Sequence, residues 1–239
     1  MTDPVRLCAA SYAGWHASWL TALGLRSERA NGLWRAIDRP PLIYLAGIPL
    51  DPDVRSEALA EVPGSVGDAW QTLELDRFGF RVWRKEPWFY RAPGPAPDPA
   101  PSELEIVPVR TPEEVIEFEA VSVRGFGTEN DVIEPGTFHP PRILADDAMR
   151  MFIGRVDGRP VAASMGFVLD GAVGVFGVAT VASARRRGYG SALTRAAMLT
   201  ELGLPAVLAP SEQGANMYRE LGYEQVGELT IWARAAPAQ

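Results

Sequence analysis

The sequence predicts an α/β chain of the α+β type, and three observations carry that expectation. Three strand-like runs at 150–156, 159–169 and 173–181 are joined by Asp157-Gly158 and Asp170-Gly171. Asp-Gly is the dipeptide most suited to a two-residue hairpin turn, so the three runs read as consecutive antiparallel strands. The third run then passes through an arginine- and glycine-bearing turn straight into a helix. Its strand character rests on Val175, Phe176, Val178, Thr180 and Val181, and the helix on Ala192, Leu193, Ala196 and Leu199, which share one apolar stripe. Upstream, Thr111-Pro112-Glu113-Glu114 has the layout of a helix start: threonine at the N-cap, proline at the first helical position, and glutamate closing a capping box.

Taken in order, the chain opens with a helical pattern over 7–23 that carries Trp15 and Trp19 one turn apart. Aromatics at that spacing are expected to pack in a core. Pro40-Pro41 interrupts, and LIYLAGI at 42–48 reads as a short buried strand. Turn chemistry at 51–53 precedes a short helix over 54–61. A second helix is expected over 68–78, stopped by Gly79, and RVWRKEPWFYR at 81–91 alternates like a strand. The proline-rich stretch RAPGPAPDPAPS divides the chain into 1–91, a linker at 92–102, and 103–236. Alternating proline favours extended backbone, as a semi-rigid linker or an ordered surface crossover. The second part begins with a strand at 104–109 and a helix from 112 to about 125. A long irregular segment, 125–149, follows, then the three strands and the helix, a short strand AVLA at 206–209, a helix over 211–221, and a final hairpin at 223–226 and 229–234.

Composition narrows the functional classes. No apolar run approaches the roughly 20 residues that span a bilayer, and the N-terminus lacks a basic region followed by an apolar core, so a cytoplasmic protein without membrane contact is expected. A single cysteine, Cys8, excludes an internal disulfide and a multi-cysteine metal site, and with two histidines no metal is expected. Residues 1–91 carry 11 basic and 11 acidic side chains, while 92–239 carry 12 and 19, which accounts for the net charge of −7. That sign argues against nucleic acid as a partner. Residues 108–147 hold nine carboxylates against three arginines, an acidic rim that would draw in a cationic amine or, equally, an ordinary solvated face.

The chemistry-bearing stretch is VFGVATVASARRRGYGSALT at 175–194. Gly188 and Gly190 remove two Cβ atoms where the helix begins, so free N–H groups can approach an anion that the helix dipole also favours. Arg185, Arg186 and Arg187 add positive charge there. On physical grounds this is a phosphate or pyrophosphate cradle, or a surface turn capping a helix. The spacing Arg185-x-x-Gly188-x-Gly190 resembles the (Gln/Arg)-x-x-Gly-x-(Gly/Ala) signature of the GNAT superfamily of acyl-CoA-dependent N-acetyltransferases. Tyr218-Arg-Glu-Leu221-Gly222-Tyr223 is similar to that family's Tyr-x-x-Leu-Gly-(Phe/Tyr) helix end, and the element order over about 130 residues matches.

The resemblance implies a central, mixed, mostly antiparallel sheet flanked by helices, with acetyl-CoA as cosubstrate. It implies that the backbone of Val178, Ala179 and Thr180 meets the pantetheine arm. The pyrophosphate would fall to the backbone of Arg186, Arg187, Gly188, Tyr189, Gly190 and Ser191, with Arg185 adding charge. Val178 would also stabilise the oxyanion, and Tyr218 would protonate the departing thiolate. Ser211 stands where the family often has asparagine; it can cap the helix and reach the cofactor arm. No general base is identifiable: His139, Glu129, Asp131, Asp146 and Asp147 are the titratable residues singled out in the irregular segment. The resemblance thus implies direct acetyl transfer to a primary amine, with a non-catalytic acyl-CoA sensor as the alternative, and a homodimer through exposed strand edges. The helix ending at Phe78-Gly79-Phe80 and the strand after it resemble the closing unit of a GNAT half, so 1–91 is expected to be a degenerate half or a family-specific α+β domain without a cofactor of its own.

Overall fold

The first helix, α1 (Pro4–Ala22), starts where the Asp3 carboxylate accepts a hydrogen bond from the Val5 N–H and Pro4 fills the first turn. It buries Trp19 and Leu20 completely and lies across strands from both parts of the chain. The computed structural model describes residues 3–95, 100–212 and 214–234. Residues 96–99 of the expected linker and 235–236 of the expected C-terminal domain lie outside the described residues.

Among the described residues, eleven strands form one sheet. The N-terminal part supplies β1 (Ser27–Ala30), β2 (Leu33–Ala36), β3 (Gly47–Pro49), β4 (Val66–Asp68) and the long β5 (Phe80–Arg91). The C-terminal part supplies β6 (Glu105–Pro108), β7 (Met149–Val156), β8 (Arg159–Leu169), β9 (Ala172–Thr180), β10 (Ala206–Leu208) and β11 (Glu224–Arg234). The order across the sheet is β1-β2-β3-β4-β11-β5-β10-β9-β8-β7-β6, so β5 sits between two strands that come more than a hundred residues later. All pairs are antiparallel except β3–β4 and β9–β10. The segments on either side of the proline-rich stretch therefore share a single sheet. The described ends of that stretch are ordered: Arg91 Nη2 donates to the Pro95 carbonyl at 2.6 Å, and Ala100 packs against the cluster around Leu104 and Tyr189.

Local signals shape the second part as expected. The Thr111 hydroxyl accepts from the Glu114 N–H, and the Glu114 carboxylate accepts from the Thr111 N–H, closing the capping box that opens α2 (Pro112–Phe126). Both hairpins turn on Asp-Gly with both residues in the left-handed region: Asp157 and Gly158 at φ 50° and 73°, Asp170 and Gly171 at 51° and 82°. The helices α3 (Tyr189–Met198) and α4 (Ala215–Glu220) complete the set.

Several expectations are corrected. The expected strand at 42–48 shortens to β3, because Pro40-Pro41 open a turn whose Pro41 carbonyl accepts from the Tyr44 N–H. The expected helix at 54–61 is a single 3-10 turn at Ser56–Leu59. The expected helix at 68–78 does not form: buried Asp68 accepts from the N–H groups of Trp70, Thr72 and Leu73, which gathers the backbone into a loop ending in a 3-10 turn, Asp76–Phe78. The final hairpin is one strand, β11, bent by a bulge between Gln225 and Gly227 and paired along its length with β5. The expected helix over 211–221 begins only at Ala215, with Gly214 rather than Ser211 at its N-cap.

Candidate acyl-transfer cleft

The cleft arises where two parallel strands part. β9 and β10 pair at Val173–Ala206 and Gly174–Val207, and β9 then runs on to Thr180 without β10 beside it. In the same stretch β9 carries a bulge against β8. Ala163 pairs with Ala179 and Met165 with Phe176, so Ser164 alone faces Gly177 and Val178. A bulge leaves its extra residue out of the ladder and turns it aside. Gly177 takes φ 58°, a conformation that calls for glycine; a Cβ there would lie 2.4 Å from Met165 Cε, the movable end of a flexible side chain.

A cavity of about 540 Å³ fills the parting. On one side it is lined by Val175, Gly177 and Val178 of β9, by Pro210 and Ser211 beyond β10, and by Tyr218 of α4. On the other it is lined by Tyr12 and Trp15 of α1, by Ser122 and Phe126 of α2, and by Phe138 and His139 of the irregular segment. Of the residues that the sequence singles out, Val178, Ser211 and Tyr218 thus meet on one cavity. Ser211 is exposed and fixes the turn before α4 through its carbonyl, which accepts from the Gly214 N–H at 3.0 Å. Ala179 and Thr180 instead pair with β8, Ala179 buried and Thr180 half-buried.

The other predicted residues form the turn into α3. Arg186 at φ 63° and Gly188 at φ 79° place two left-handed residues just before the helix, an arrangement that gathers successive N–H groups toward one point. The first-turn amides of Tyr189, Gly190 and Ser191 have no intrahelical acceptor. Gly190 lies under α4, where a Cβ would meet Met217 Sδ at 3.2 Å. Arg186 and Arg187 are exposed beside this concavity. Two side chains turn elsewhere. Arg185 donates to the carbonyls of Thr180 at 3.1 Å and Gly125 at 2.8 Å, tying the turn to the end of α2. Tyr189 is buried, with its hydroxyl donating to Glu103 at 3.0 Å, so only its backbone faces the turn.

Burial sets the protonation states at the cavity. It pushes the Tyr218 phenol up to about 12, against a smaller opposing effect of the Thr194 hydroxyl beside it, so the phenol keeps its proton at neutral pH. Burial presses His139 down to about 3, leaving a neutral imidazole. Among the described residues the His139 Nδ1 is buried without a hydrogen-bond partner, and it lies 4.0 Å from Glu119 Oε1. Glu119, itself buried, accepts from the N–H groups of Gly136, Phe138 and His139 at 2.6, 2.7 and 2.8 Å and so fixes the segment that carries His139. The other singled-out carboxylates do not line the cavity. Glu129 accepts from the Ser183 N–H at 2.5 Å, Asp131 from Thr128, and Asp146 from the Ser18 hydroxyl, while Asp147 is exposed. Cys8 is buried, with its thiol 3.8 Å from the Phe89 carbonyl and pushed up by burial.

Tyr12 and Phe126 are wall residues that no local motif marks, and Trp15, expected in the core, packs against it and lines the cavity as well. Trp19 is fully buried, whereas Trp15, one turn away, stacks on Phe176 at 4.8 Å and 17° and lines the cavity. Nothing local separates two tryptophans on one helix; the difference lies in what β9 puts beneath them. Among the described residues, no helix is long and apolar enough to cross a membrane, and no group of three or more His, Cys, Asp or Glu is placed to hold a metal ion.

Residues 119–223 match the sequence model of the acetyltransferase (GNAT) family. Over those residues the chain is similar to a GNAT acetyltransferase domain. Its fold is that of solved GNAT structures over nearly the whole length. A GCN5-related N-acetyltransferase from Kribbella flavida superposes with a TM-score of 0.65 at 22% identity, covering 95% of this chain and 96% of that one. A putative GNAT-family acetyltransferase from Novosphingobium aromaticivorans gives 0.59 at 18% identity, covering 97% and 99%. No curated protein matches the chain. The family of the domain supports acyl transfer as its chemistry.

Proposed function

We propose that this chain is an acetyl-CoA-dependent N-acetyltransferase that acts on a primary amine by direct attack. The observation that carries the reading is one cavity shared by the Val178 bulge and Tyr218, at the point where β9 and β10 part. Acetyl-CoA supplies the thioester. Val178, left out of the strand ladder, offers its N–H to the oxyanion that develops on attack. The turn through Arg186 and Gly188 and the first-turn amides of α3 suit a pyrophosphate, with Arg186 and Arg187 free to add charge. Tyr218 holds the proton for the departing thiolate; the apolar walls that raise the phenol also raise a thiolate leaving beside it, which eases the transfer. The N-terminal segment, through α1, serves as the wall of the acceptor side.

Transfer is tested by following thiol release from acetyl-CoA over a panel of amines, with calorimetric binding of acetyl-CoA alongside. Binding with amine-dependent thiol release is the expected result. Binding without release on any amine would instead make the chain an acyl-CoA sensor, and absence of binding would end both readings.

A further inference from the structure

We infer that the acceptor side of this cavity takes an uncharged, weakly basic aromatic amine. The inference rests on the acyl-transfer reading of the cleft and adds the class of acceptor. None of the 19 residues lining the cavity is an aspartate, glutamate, lysine or arginine. None of the nine carboxylates of residues 108–147 lines it: Glu114 is held in the capping box, Glu117 pairs with Arg155, and Glu119, behind His139, is committed to three backbone amides. What the acceptor side offers instead is aromatic surface. Trp15 stacks on Phe176, and Tyr12 tilts against the same ring at 5.6 Å. Ile43 and Phe126 line the cavity while 48% and 68% exposed, so its mouth is apolar as well.

An ammonium entering such a space gives up its hydration and meets no opposite charge. An aromatic amine, whose lone pair is spread into its ring, is neutral at pH 7 and finds rings to stack on. The chemistry favours the same class. A neutral amine attacks without first losing a proton: its nitrogen bonds to the thioester carbon, the carbon–sulfur bond breaks, and the sulfur takes the Tyr218 proton. The acylated nitrogen then releases one proton to the neutral imidazole of His139, and exchange with solvent restores both side chains. The balance is amine plus acetyl thioester giving acetamide plus thiol. An alkylammonium would have to give its proton to an imidazole pressed to about 3, which is unfavourable by about seven orders of magnitude for a lysine-like amine.

Two isomers of equal size test the inference: 4-methylaniline, neutral at pH 7, and benzylamine, which is then an ammonium. Each is titrated calorimetrically into the full chain, and each is offered with acetyl-CoA while thiol release and the acetamide product are followed. The expected result is at least tenfold tighter binding of 4-methylaniline and a correspondingly higher kcat/KM. Ile43→Asp, a substitution at the exposed mouth, is expected to move the ratio toward benzylamine by about fivefold. Acetylation of benzylamine or spermidine in preference to 4-methylaniline overturns the inference and leaves acyl transfer standing. If acetyl-CoA fails to bind, acyl transfer falls, yet selective heat with 4-methylaniline still supports the assignment of the cavity. No heat with 4-methylaniline overturns it in either case.

Discussion

The two sides of the cleft are made from different materials. The side proposed for the cofactor is backbone: a bulge at Gly177–Val178, left-handed residues at Arg186 and Gly188, and the amides that open α3. The side proposed for the acceptor is side chain: Tyr12 and Trp15 from α1, Phe126 from α2, and Phe138 and His139 from a segment anchored on Glu119. Backbone sites depend on a few residues that tolerate special dihedrals, so they are robust to protonation and can be written as short motifs. Side-chain sites depend on burial and on polar groups satisfied at a distance, so they respond to pH and to single deletions.

Acid pH should break the acceptor side first, and this is the largest effect expected. His16 and His139 are each pressed from 6.5 to about 3 by burial. Above pH 6.5 both states of the chain are neutral at these rings. As pH falls below 6.5 the unfolded chain takes up protons that the folded chain refuses, so stability declines progressively until about pH 3. The loss is on the order of 5 kcal/mol for each ring, read as a falling urea midpoint, and His139→Gln should flatten the slope by roughly half. A slope unchanged by that variant would count against a buried neutral His139.

Glu119→Ala strips the acceptor from one buried and two half-buried amides and should cost about 3 kcal/mol. Urea unfolding measures the loss. The same variant should leave acetyl-CoA affinity within about twofold, because the cofactor side does not use that segment. Equal damage to cofactor binding would show that the two sides are not separable. Tyr218→Phe probes the other side, and should lower kcat by about a hundredfold with acetyl-CoA affinity nearly intact. Unchanged turnover would remove the phenol from the reaction. Cys8→Ala is the smallest perturbation, costing about 1 kcal/mol in a urea titration with turnover unaffected; a large fall in kcat would reopen a thiol intermediate.

The same contrast explains what the sequence could reveal. The three hairpin-linked strands, the capping box at Thr111 and the turn into α3 are decided by neighbours within a few residues, and the expectation met the structure there. The loop at 68–78 was read as a helix because its apolar spacing is helical, while the deciding group, the Asp68 carboxylate, acts by accepting three amides ahead of it. The sequence predicts a hairpin at 223–226 and 229–234, yet β5, contributed from 80–91, holds that whole stretch as one bulged strand. In the site, Val178 and Tyr218 were legible through local motifs. Trp15, Phe126 and Phe138 were not, since three segments more than a hundred residues apart at their extremes build that wall and each residue alone looks like core.

The central claim is that the backbone-built side of the cleft binds acetyl-CoA. Calorimetric titration of acetyl-CoA into the full chain and into Gly190→Val tests it most directly. Saturable one-to-one binding, weakened about tenfold by a branched side chain set at the start of α3 beneath Met217, is the result this account predicts. No saturable heat at high micromolar concentration, or binding indifferent to Gly190→Val, would contradict it.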